Sequence, residues 1–397
     1  MPKGTSKKPL VKSNEKKVLN VRNSNPTFSN SILHKASKAK KDEFYTQLSD
    51  IEKELKNYKS FFRNKVVYCN CDDPYESNFF KYFAANFNLL GIKKLITTSY
   101  TGSPITGGQL SLFELEGLKP NAKEPFKIEI SEVPDLDNDG AIGLIDVEML
   151  LRLNKNTVTP LLGDGDFRSK ECIELLKQSD IVVTNPPFSL FREYIAQLEQ
   201  YKKQYLIIGN TNAITYKEIF RLIKDDKLRT GYTNFNVGMF FEVPNTWEKY
   251  HHIDDSGKKI ARVSTSCWFT NFEVTKHKNF ITLYKKYSKN EYSKYANFEG
   301  IEVSKVSDIP MDFDGIMGVP ITFVDKYNPD QFEIIGLGIS NSGLEVGVKP
   351  YKPAHKKYRK EIQKRGAVDG DLYLVKNGVI EVPYARVLIR NRKVAKI

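Results

Sequence analysis

The 397-residue sequence lacks any apolar run that could span a membrane, and it contains only four cysteines. A membrane-spanning helix needs about 18 consecutive apolar residues. The first 41 residues are polar and lysine-rich, without the apolar centre of a secretory signal. Four cysteines in so long a chain do not make a disulfide framework. These absences predict a protein of the reducing prokaryotic cytoplasm with no membrane partner.

The cysteines also lack the spacing of a zinc site. A single residue separates Cys69 from Cys71, and Cys172 and Cys267 stand alone. Buried thiols are therefore predicted, and no metal is expected in the functional site.

Positive charge is concentrated at the two ends of the chain. The formal net charge is +13, of which residues 1–41 carry +10 and residues 345–397 carry +9, which leaves −6 for residues 42–344. A mildly acidic body with basic ends is typical of a protein that grips a polyanion. A solubilising tail would give the same N-terminal charge. The C-terminal charges lie among strand-like and aromatic residues, which favours contact with nucleic acid.

Short apolar runs alternate with segments of helical spacing in the middle of the chain. Buried strands are predicted at residues 66–71, 93–98, 180–184 and 204–209, and helices at residues 77–88, 170–178 and 193–198. Residues 101–160 look irregular. The alternation predicts an α/β fold around a parallel sheet, with ligands at the carboxyl ends of the strands.

The two ends of the chain differ from this middle part. Beyond about residue 230 the helical spacing fades, and β-like runs follow at residues 263–272, 321–324, 332–337, 372–375 and 385–389. The C-terminal region is therefore predicted to be rich in β-structure. Residues 1–30 contain three prolines and no helical periodicity, which predicts a flexible basic arm.

The motif Asn185-Pro186-Pro187-Phe188 follows the apolar run at residues 180–184. Two prolines stiffen the turn and remove two backbone donors. The Asn185 amide oxygen and the Pro186 carbonyl can then face one way as acceptors for an exocyclic amine. Accepting those two hydrogen bonds frees the nitrogen lone pair, and Phe188 offers a flat surface for a base. An amine held in this way can attack a sulfonium methyl directly.

This motif is similar to the catalytic motif of the amino-group methyltransferases that use S-adenosylmethionine. Together with further segments it resembles the EcoRI-type adenine-specific (N6) DNA methyltransferases. The further segments are Asp42-Glu-Phe-Tyr-Thr-Gln47, Val66-Val-Tyr-Cys-Asn-Cys-Asp-Asp-Pro74, Gly163-Asp-Gly-Asp-Phe-Arg-Ser169, Cys267-Trp-Phe-Thr-Asn271 and Gly318-Val-Pro-Ile-Thr-Phe323. The resemblance covers most of residues 31–300.

The resemblance implies a division of the chain. Residues 31–300 would form the catalytic domain, with a Rossmann-like class I methyltransferase sheet and an insertion at about 101–160. Residues 301–397 would form a β-rich target-recognition region that binds DNA. The basic arm of residues 1–30 has no counterpart in the family.

The resemblance also implies a binding site for the methionine end of the cofactor. Tyr45 and Thr46 belong to the segment that closes over this end. The first strand is followed by Asn70, Cys71, Asp72 and Asp73, at the place where methionine binds. Here the chain departs from the usual pattern, because no Gly-x-Gly is present. Either Asp72 or Asp73 could meet the cofactor's ammonium group, and capping of the next helix is the alternative for both.

For the adenosine end, Asp164 and Asp166 are placed to receive the adenine amino group, with Phe167 against the ring. A turn rich in glycine and aspartate is the alternative. The second strand ends in Thr97-Thr98-Ser99 rather than in an acid, so the usual ribose-binding carboxylate is missing there.

Candidate DNA contacts come from two regions. Trp268 and Phe269 either flank the flipped base or form a core aromatic pair. Arg386, Arg390 and Arg392 are candidates for contact with phosphate or guanine. The resemblance implies double-stranded DNA as the substrate and a cognate restriction endonuclease acting at the same site.

Residues 135–146 place acids at loop positions 1, 3, 5 and 12 and glycine at position 6, as in a calcium loop. Aspartate replaces the terminal glutamate, and a predicted strand at residues 127–133 stands where the incoming helix belongs. An acidic surface insertion is the favoured interpretation.

Two rival functions stay open at the level of sequence. The same motif serves enzymes that methylate cytosine N4, RNA or a protein glutamine. The atypical segment after the first strand also leaves room for a DNA-binding relative that has lost catalysis.

Overall fold

The computed structural model describes residues 45–71, 74, 77–100, 125–153, 158–245 and 247–394. The predicted arm at residues 1–30 lies outside these ranges. The strands are β1 (Tyr45–Thr46), β2 (Val66–Cys69), β3 (Lys94–Thr98), β4 (Phe126–Ile130), β5 (Val158–Pro160), β6 (Ile181–Thr184), β7 (Gln204–Asn210), β8 (Arg229–Thr230), β9 (Met239–Val243), β10 (His252–Ile253), β11 (Lys259–Val263), β12 (Ser266–Thr270), β13 (Ile301–Glu302), β14 (Met317–Pro320), β15 (Phe332–Leu337), β16 (Leu374–Lys376), β17 (Val379–Glu381) and β18 (Arg386–Asn391).

The α-helices are short, and most have one buried face. They are α1 (Leu48–Leu55), α2 (Asn78–Ala85), α3 (Phe87–Leu90), α4 (Leu144–Leu153), α5 (Lys170–Gln178), α6 (Phe191–Gln200), α7 (Lys217–Lys224), α8 (Ser340–Glu345) and α9 (Pro353–Glu361). The side chain of Ser77 caps α2 and that of Ser169 caps α5, each accepting a backbone N–H at 3.2 Å. Within the described ranges, no helix is both long and apolar enough to cross a membrane.

An eight-stranded mixed sheet forms the centre of the fold, with the order β5-β4-β3-β2-β6-β7-β12-β8. Strands β3, β2, β6 and β7 are parallel. Strand β4 runs antiparallel between β3 and β5, and β12 runs antiparallel between β7 and β8. The α/β prediction is confirmed at this level, although the sheet is mixed and not purely parallel.

Three smaller β-structures surround this sheet. Strands β1, β9, β11 and β10 form an antiparallel sheet in that order. The C-terminal region contributes a four-stranded sheet with the order β13-β14-β18-β15, and a hairpin of β16 and β17. The β-rich character predicted for this region agrees with these strands.

Two large apolar clusters hold the molecule together, one on each face of the central sheet. Along β2, Val67 and Cys69 belong to the first cluster and Tyr68 to the second, because successive strand side chains point to opposite faces. The second cluster also contains Ile301 and Ile389 of the C-terminal sheet. The C-terminal sheet therefore shares a core with the central sheet.

Two local predictions were wrong. Residues 321–324, predicted as a strand, lie in the 3₁₀-helix Ile321–Lys326, in which Phe323 and Val324 are buried. Packing against the second cluster overrides the β-propensity of these residues. The stretch predicted as irregular at 101–160 contributes α4 and β5 in its described part, in addition to the strand predicted at residues 127–133, which is present as β4.

Candidate active site

Six strands of the central sheet end at one edge, since β8 also runs in the direction of β7, and this edge brings the candidate residues together. Strands β2, β3, β6 and β7 are parallel, and β5 runs in the same direction because it is antiparallel to β4. Asn70 follows β2, Asp164 follows β5 and Asn185 follows β6. The carboxyl ends of parallel strands are where open α/β sheets bind ligands.

The motif after β6 forms a turn that is rigid and only partly buried. Asn185 is 4 % exposed and Pro186 is buried, whereas Pro187 and Phe188 are half-buried. Phe188 begins the 3₁₀-helix Phe188–Leu190, and the N–H of Leu190 donates to the Pro187 carbonyl at 2.9 Å. The two acceptors of the motif thus sit in a stiff corner, and the aromatic ring stands at its rim.

Asn70 at the end of β2 is held by two side chains that flank the motif in sequence, Thr184 before it and Tyr194 after it. Its side-chain oxygen accepts a hydrogen bond from the Tyr194 hydroxyl, and its carbonyl accepts one from the Thr184 hydroxyl. Burial raises the pKa of Tyr194 well above its usual value, so its hydroxyl keeps the proton that it donates. Cys71 adopts a left-handed conformation with φ of 70°. Asp72 and Asp73 lie outside the described residues.

The loop after β5 packs against the end of β3 through one glycine. Gly165 has φ of 77°, and a Cβ at this position would overlap the carbonyl oxygen of Ser99. Asp164 is exposed and accepts a hydrogen bond from the Asp166 N–H at 3.0 Å. Glycine at this position therefore lets the Asp164–Phe167 loop lie directly against the second strand of the site.

Two of the side chains in this loop already have protein contacts. The Asp166 carboxylate binds Arg168 through two hydrogen bonds of 2.8 and 2.6 Å, and this contact raises the pKa of Arg168. Phe167 is 5 % exposed and packs edge-on against Tyr194, with ring centroids 5.0 Å apart. A ligand at this loop would contact an Asp166 carboxylate that is already paired with Arg168, and it would reach only the small exposed part of the Phe167 ring.

Tyr45 and Thr46 form β1, which pairs with β9 and so lies near Phe188, although more than a hundred residues separate Thr46 from Phe188 in the sequence. Thr46 lies directly opposite Phe241 of β9, so the two side chains share one face. The Thr46 carbonyl accepts a hydrogen bond of 2.7 Å from Asn78 at the start of α2. The Thr46 hydroxyl is buried and has no hydrogen-bond partner among the described residues. It is therefore available to a bound molecule.

A buried carboxylate supports this arrangement from α1. Glu54 is fully buried and accepts four hydrogen bonds of 2.6 to 2.8 Å, from the hydroxyls of Tyr58 and Thr233 and from the N–H groups of Tyr232 and Thr233. Burial raises the pKa of Glu54 in spite of these bonds. Glu54 thereby fixes the chain between β8 and β9, the strand to which β1 pairs.

Sequence reasoning missed several of these partners. Phe241, Asn78 and Glu54 carry no local signal, because their roles depend on contacts with distant segments. Gly165 does carry one, since it stands in the quoted Gly-Asp-Gly-Asp run. Gly165 has a positive φ, a backbone conformation that glycine adopts readily.

Several of the candidate DNA contacts are buried or paired with other residues of the protein. Trp268 and Phe269 are fully buried, and Trp268 packs against Phe79 with ring centroids 6.0 Å apart, as in the core-pair alternative. Arg386 is held by Glu302 through hydrogen bonds of 2.6 to 3.1 Å. The remaining two arginines are exposed, and Arg390 lies 3.6 Å from Glu333 while Arg392 follows β18.

The acidic loop at residues 135–146 lies between β4 and α4. The carboxylates of Asp135, Asp137 and Asp139 lie within 4.8 Å of one another. Asp146 is buried and accepts hydrogen bonds from the N–H groups of Leu136, Asp137 and Gly143, which lower its pKa. The predicted strand before this loop is present as β4.

Comparison with known proteins identifies the family. Residues 32–392 match the family described as adenine-specific methyltransferase EcoRI. The chain belongs to this family of adenine-specific DNA methyltransferases. It is 44% identical over 375 residues to the type II methyltransferase M.EcoRI of Escherichia coli, covering 92% of this chain and 98% of that protein.

Two mycoplasma proteins are also similar. The type II methyltransferase M.MgeORF184P of Mycoplasma genitalium is 38% identical over 310 residues, covering 76% of this chain and 85% of its own length. The type II methyltransferase M.MpnI of Mycoplasma pneumoniae is 37% identical over 310 residues, covering 76% and 84%. No solved structure matches the chain significantly.

Proposed function

We propose that this methyltransferase moves a methyl group from S-adenosylmethionine to N6 of an adenine that is rotated out of duplex DNA. The observation that carries the proposal is the position of Asn185-Pro186-Pro187-Phe188 at the carboxyl end of β6, beside Asn70 and Thr46. In a restriction-modification system this enzyme would protect the sites that a cognate endonuclease cuts.

The residues at the carboxyl edge fit this cofactor. Strands β2, β3, β5, β6 and β7 end there, and the antiparallel β12 lies between β7 and β8, which supports a class I methyltransferase sheet with β4 as an added strand. Tyr45, Thr46, Asn70 and Cys71 would hold the methionine end. Asp72 and Asp73 remain candidates for the ammonium group. Asp164, Asp166 and Phe167 would hold the adenine end. The Thr46 hydroxyl, buried and without a partner among the described residues, supports this assignment.

The motif residues would act on the amine of the target base. The Asn185 side-chain oxygen and the Pro186 carbonyl would accept hydrogen bonds from the two N–H groups of the amine. These two bonds would turn the nitrogen lone pair toward the reacting methyl group. S-adenosylmethionine supplies that methyl group on a sulfonium. The amine is weakly basic, so its proton leaves during or after transfer. Pro187 keeps the turn rigid, which fixes the acceptors before the base arrives.

Phe188 would hold the base itself. Its ring is half-buried and stands beside the two acceptors at the rim of the corner. Stacking on an aromatic ring contributes about 1–3 kcal/mol per base, and rotating a base out of the duplex costs a few kcal/mol. Phe188 thus offsets much of the cost of extracting the adenine.

The proposed site implies separate roles for two parts of the chain. Residues 31–300 would carry catalysis, with the insertion at about 101–160, and residues 301–397 would recognise the target. The exposed Arg390 and Arg392 are candidates for DNA contact, whereas Arg386 and Trp268 would need to leave their present contacts. The bacterial relatives support a prokaryotic cytoplasm as the location.

Transfer of labelled methyl groups tests the proposal. Purified protein is incubated with methyl-labelled S-adenosylmethionine and unmethylated duplex DNA, and the nucleosides are separated after digestion. Label is expected in N6-methyl-2′-deoxyadenosine. Label in N4-methylcytosine, or in RNA offered in parallel, would favour a rival amino-methyltransferase. A protein that binds DNA but not S-adenosylmethionine in a titration would be an inactive relative.

A further inference from the structure

A small basic unit lies near the C-terminus, formed by residues 349–382 with helix α9 and the hairpin of β16 and β17. It contains nine Lys or Arg residues and four acids, so its net charge is +5. Tyr351, Tyr373 and Ile380 form its own apolar cluster, in which the two tyrosine rings stack with centroids 4.4 Å apart. The unit, which we call the α9 unit, is therefore a folded platform and not a charged tail.

One face of α9 is committed to the platform. His355 contacts the Tyr373 hydroxyl at 3.1 Å, and Lys356 forms an ion pair of 2.8 Å with Asp369. Arg359 donates to the carbonyl of Gly366 at 3.1 Å. These contacts hold the helix in place, and the charge of Lys356 is neutralised by Asp369.

The other face presents charges to solvent. Lys357 and Lys360 are exposed and three residues apart, so they are neighbours on the helix surface, and Lys364 is exposed just beyond its end. Among the described residues, no carboxylate lies within 4.0 Å of Lys360 or Lys364. Lys357 reaches Glu361 only at 3.9 Å. Within the described part of the chain, Lys360 and Lys364 thus form no ion pair, and Lys357 forms only a long one.

Two of the arginines predicted to contact DNA, Arg386 and Arg390, do have carboxylate partners. Arg386 and Glu302 form an internal ion pair in which the side chains are 12% and 8% exposed. Arg390 lies 3.6 Å from Glu333. A phosphate would have to compete with these carboxylates, whereas Lys360 and Lys364 have no ion-pair partner among the described residues.

Two contacts tie the segments that flank the α9 unit, Glu345 before it and Tyr384 after it, to the chain just beyond β7 at the carboxyl edge of the central sheet. The hydroxyl of Tyr384, three residues after β17, donates to Asn212 at 3.4 Å, and Glu345 at the end of α8 pairs with Lys217 at 2.6 Å. Asn212 lies two residues beyond β7, the strand next to β6, after which Asn185 stands.

We infer that the cationic face of Lys357, Lys360 and Lys364 binds the phosphate backbone of the duplex while the target base occupies the corner of Asn185. The inference rests on the proposed function and deepens it by naming the surface that holds the DNA. Lysine ammonium groups bind phosphates as point charges without reading bases. The contribution of this face is therefore the same for every DNA sequence, and it weakens with salt.

Salt-dependent binding of a fluorescent 30-base-pair duplex of random sequence tests the inference. The triple substitution Lys357→Gln, Lys360→Gln and Lys364→Gln in the full chain should lower affinity at least tenfold in low salt. It should also make the slope of log K against log salt concentration shallower by about 2.7, since each lost phosphate contact removes about 0.9.

A second triple substitution, Lys93→Gln, Lys202→Gln and Lys227→Gln, controls for net charge. These lysines are exposed just before β3, β7 and β8, at the opposite edge of the sheet. The control should bind within twofold of wild type. An α9 variant with the wild-type slope, or a control that loses as much affinity as the α9 variant, would overturn the inference. Unchanged thermal unfolding midpoints show that both variants are folded.

The same set of proteins separates this inference from the proposed function. If the wild-type protein labels adenine N6 but the α9 variant binds DNA normally, only the inference fails. If the wild-type protein labels no adenine, the proposed function fails, whatever the binding curves show.

Discussion

The ring of Phe188 stands edge-on to the ring of Phe241, with centroids 6.4 Å apart and an angle of 84° between their planes. Phe241 in turn lies opposite Thr46 in the pair of β1 and β9. Three segments that are far apart in sequence thus meet at one point. Phe188, the proposed base-stacking residue, and β1, the segment proposed to close over the cofactor, share Phe241 as a support.

Replacing Asn185 by alanine removes one of the two acceptors for the adenine amine. Loss of one preorganised polar group typically costs about 10²- to 10³-fold in turnover, and we expect a loss of this size here. Cofactor affinity should change little. Asn185→Asp keeps an acceptor oxygen and should retain part of the activity. Single-turnover methylation and a cofactor titration measure both quantities; an alanine variant with near-normal turnover would refute the role of Asn185.

Replacing Phe188 by leucine keeps apolar volume against Phe241 but removes the flat ring. Since base stacking contributes about 1–3 kcal/mol, kcat/KM should fall about 5- to 150-fold. Phe188→Trp, which retains a stacking surface, should fall less. The thermal midpoint of the leucine variant should stay near that of wild type. Equal activity of the two variants would contradict the stacking role.

Gly165 and Gly163 form a matched pair in the loop after β5. Gly165→Ala introduces a Cβ that would overlap the Ser99 carbonyl oxygen at a positive φ, so the loop must move. We expect at least a tenfold loss of cofactor affinity. At Gly163 the nearest atom to an added Cβ is the Ser169 Cβ at 3.9 Å, and Gly163→Ala should bind normally. Calorimetric titration compares the two variants, and equal affinities would argue against this loop as part of the cofactor site.

Thr46→Val replaces a buried hydroxyl, which has no hydrogen-bond partner in the described part of the chain, by a methyl group of similar shape. If the hydroxyl bonds the cofactor, affinity should fall about 2- to 12-fold, as for a hydrogen bond of about 0.5–1.5 kcal/mol. The free energy of unfolding of the free protein should not decrease, since no bond within it is lost. Thr184→Val is the contrasting variant, because it removes the bond to Asn70 and should destabilise the free protein. A cofactor affinity of Thr46→Val equal to that of wild type would remove Thr46 from the site.

Glu54→Gln places an amide among four donors, and we expect it to lower the free energy of unfolding by about 1–3 kcal/mol. Burial raises the pKa of Glu54 above 4.5, so the folded state holds a proton that the unfolded state has lost once the pH exceeds that value. The wild-type contribution from this group therefore declines as pH rises from about 4.5 through the folded-state pKa. Urea unfolding across pH 5 to 9 should show the advantage of wild type over Glu54→Gln shrinking with pH. An advantage that grows with pH would contradict the raised pKa.

Local sequence patterns predicted much of the fold and of the site. The buried strands β2, β3, β6 and β7 follow from short apolar runs, and the helix predicted at residues 170–178 has the same bounds in the structure. The position of Asn185 after β6 followed from its place behind such a run. These features are local, so a window of ten residues contains their physical cause.

Other features could not be predicted because their causes are distant in sequence. The 3₁₀-helix Ile321–Lys326 replaces a predicted strand, since burial of Phe323 decides its conformation. Arg386 pairs with Glu302, which lies 84 residues away in the sequence. A charge in the sequence does not reveal whether a partner neutralises it.

The sequence by itself determined the buried strands β2, β3, β6 and β7, the helix α5, the turn of Asn185–Phe188 after β6 and the glycine-rich loop after β5, because each depends on short-range sterics and on the period of apolar residues. Only the tertiary structure decided that Thr46, Phe241 and Phe188 meet, that Trp268 is core, and that the lysines on the outer face of α9 are exposed while Arg386 is paired. Those outcomes depend on long-range packing and ion pairing, which bring together residues that no local pattern connects.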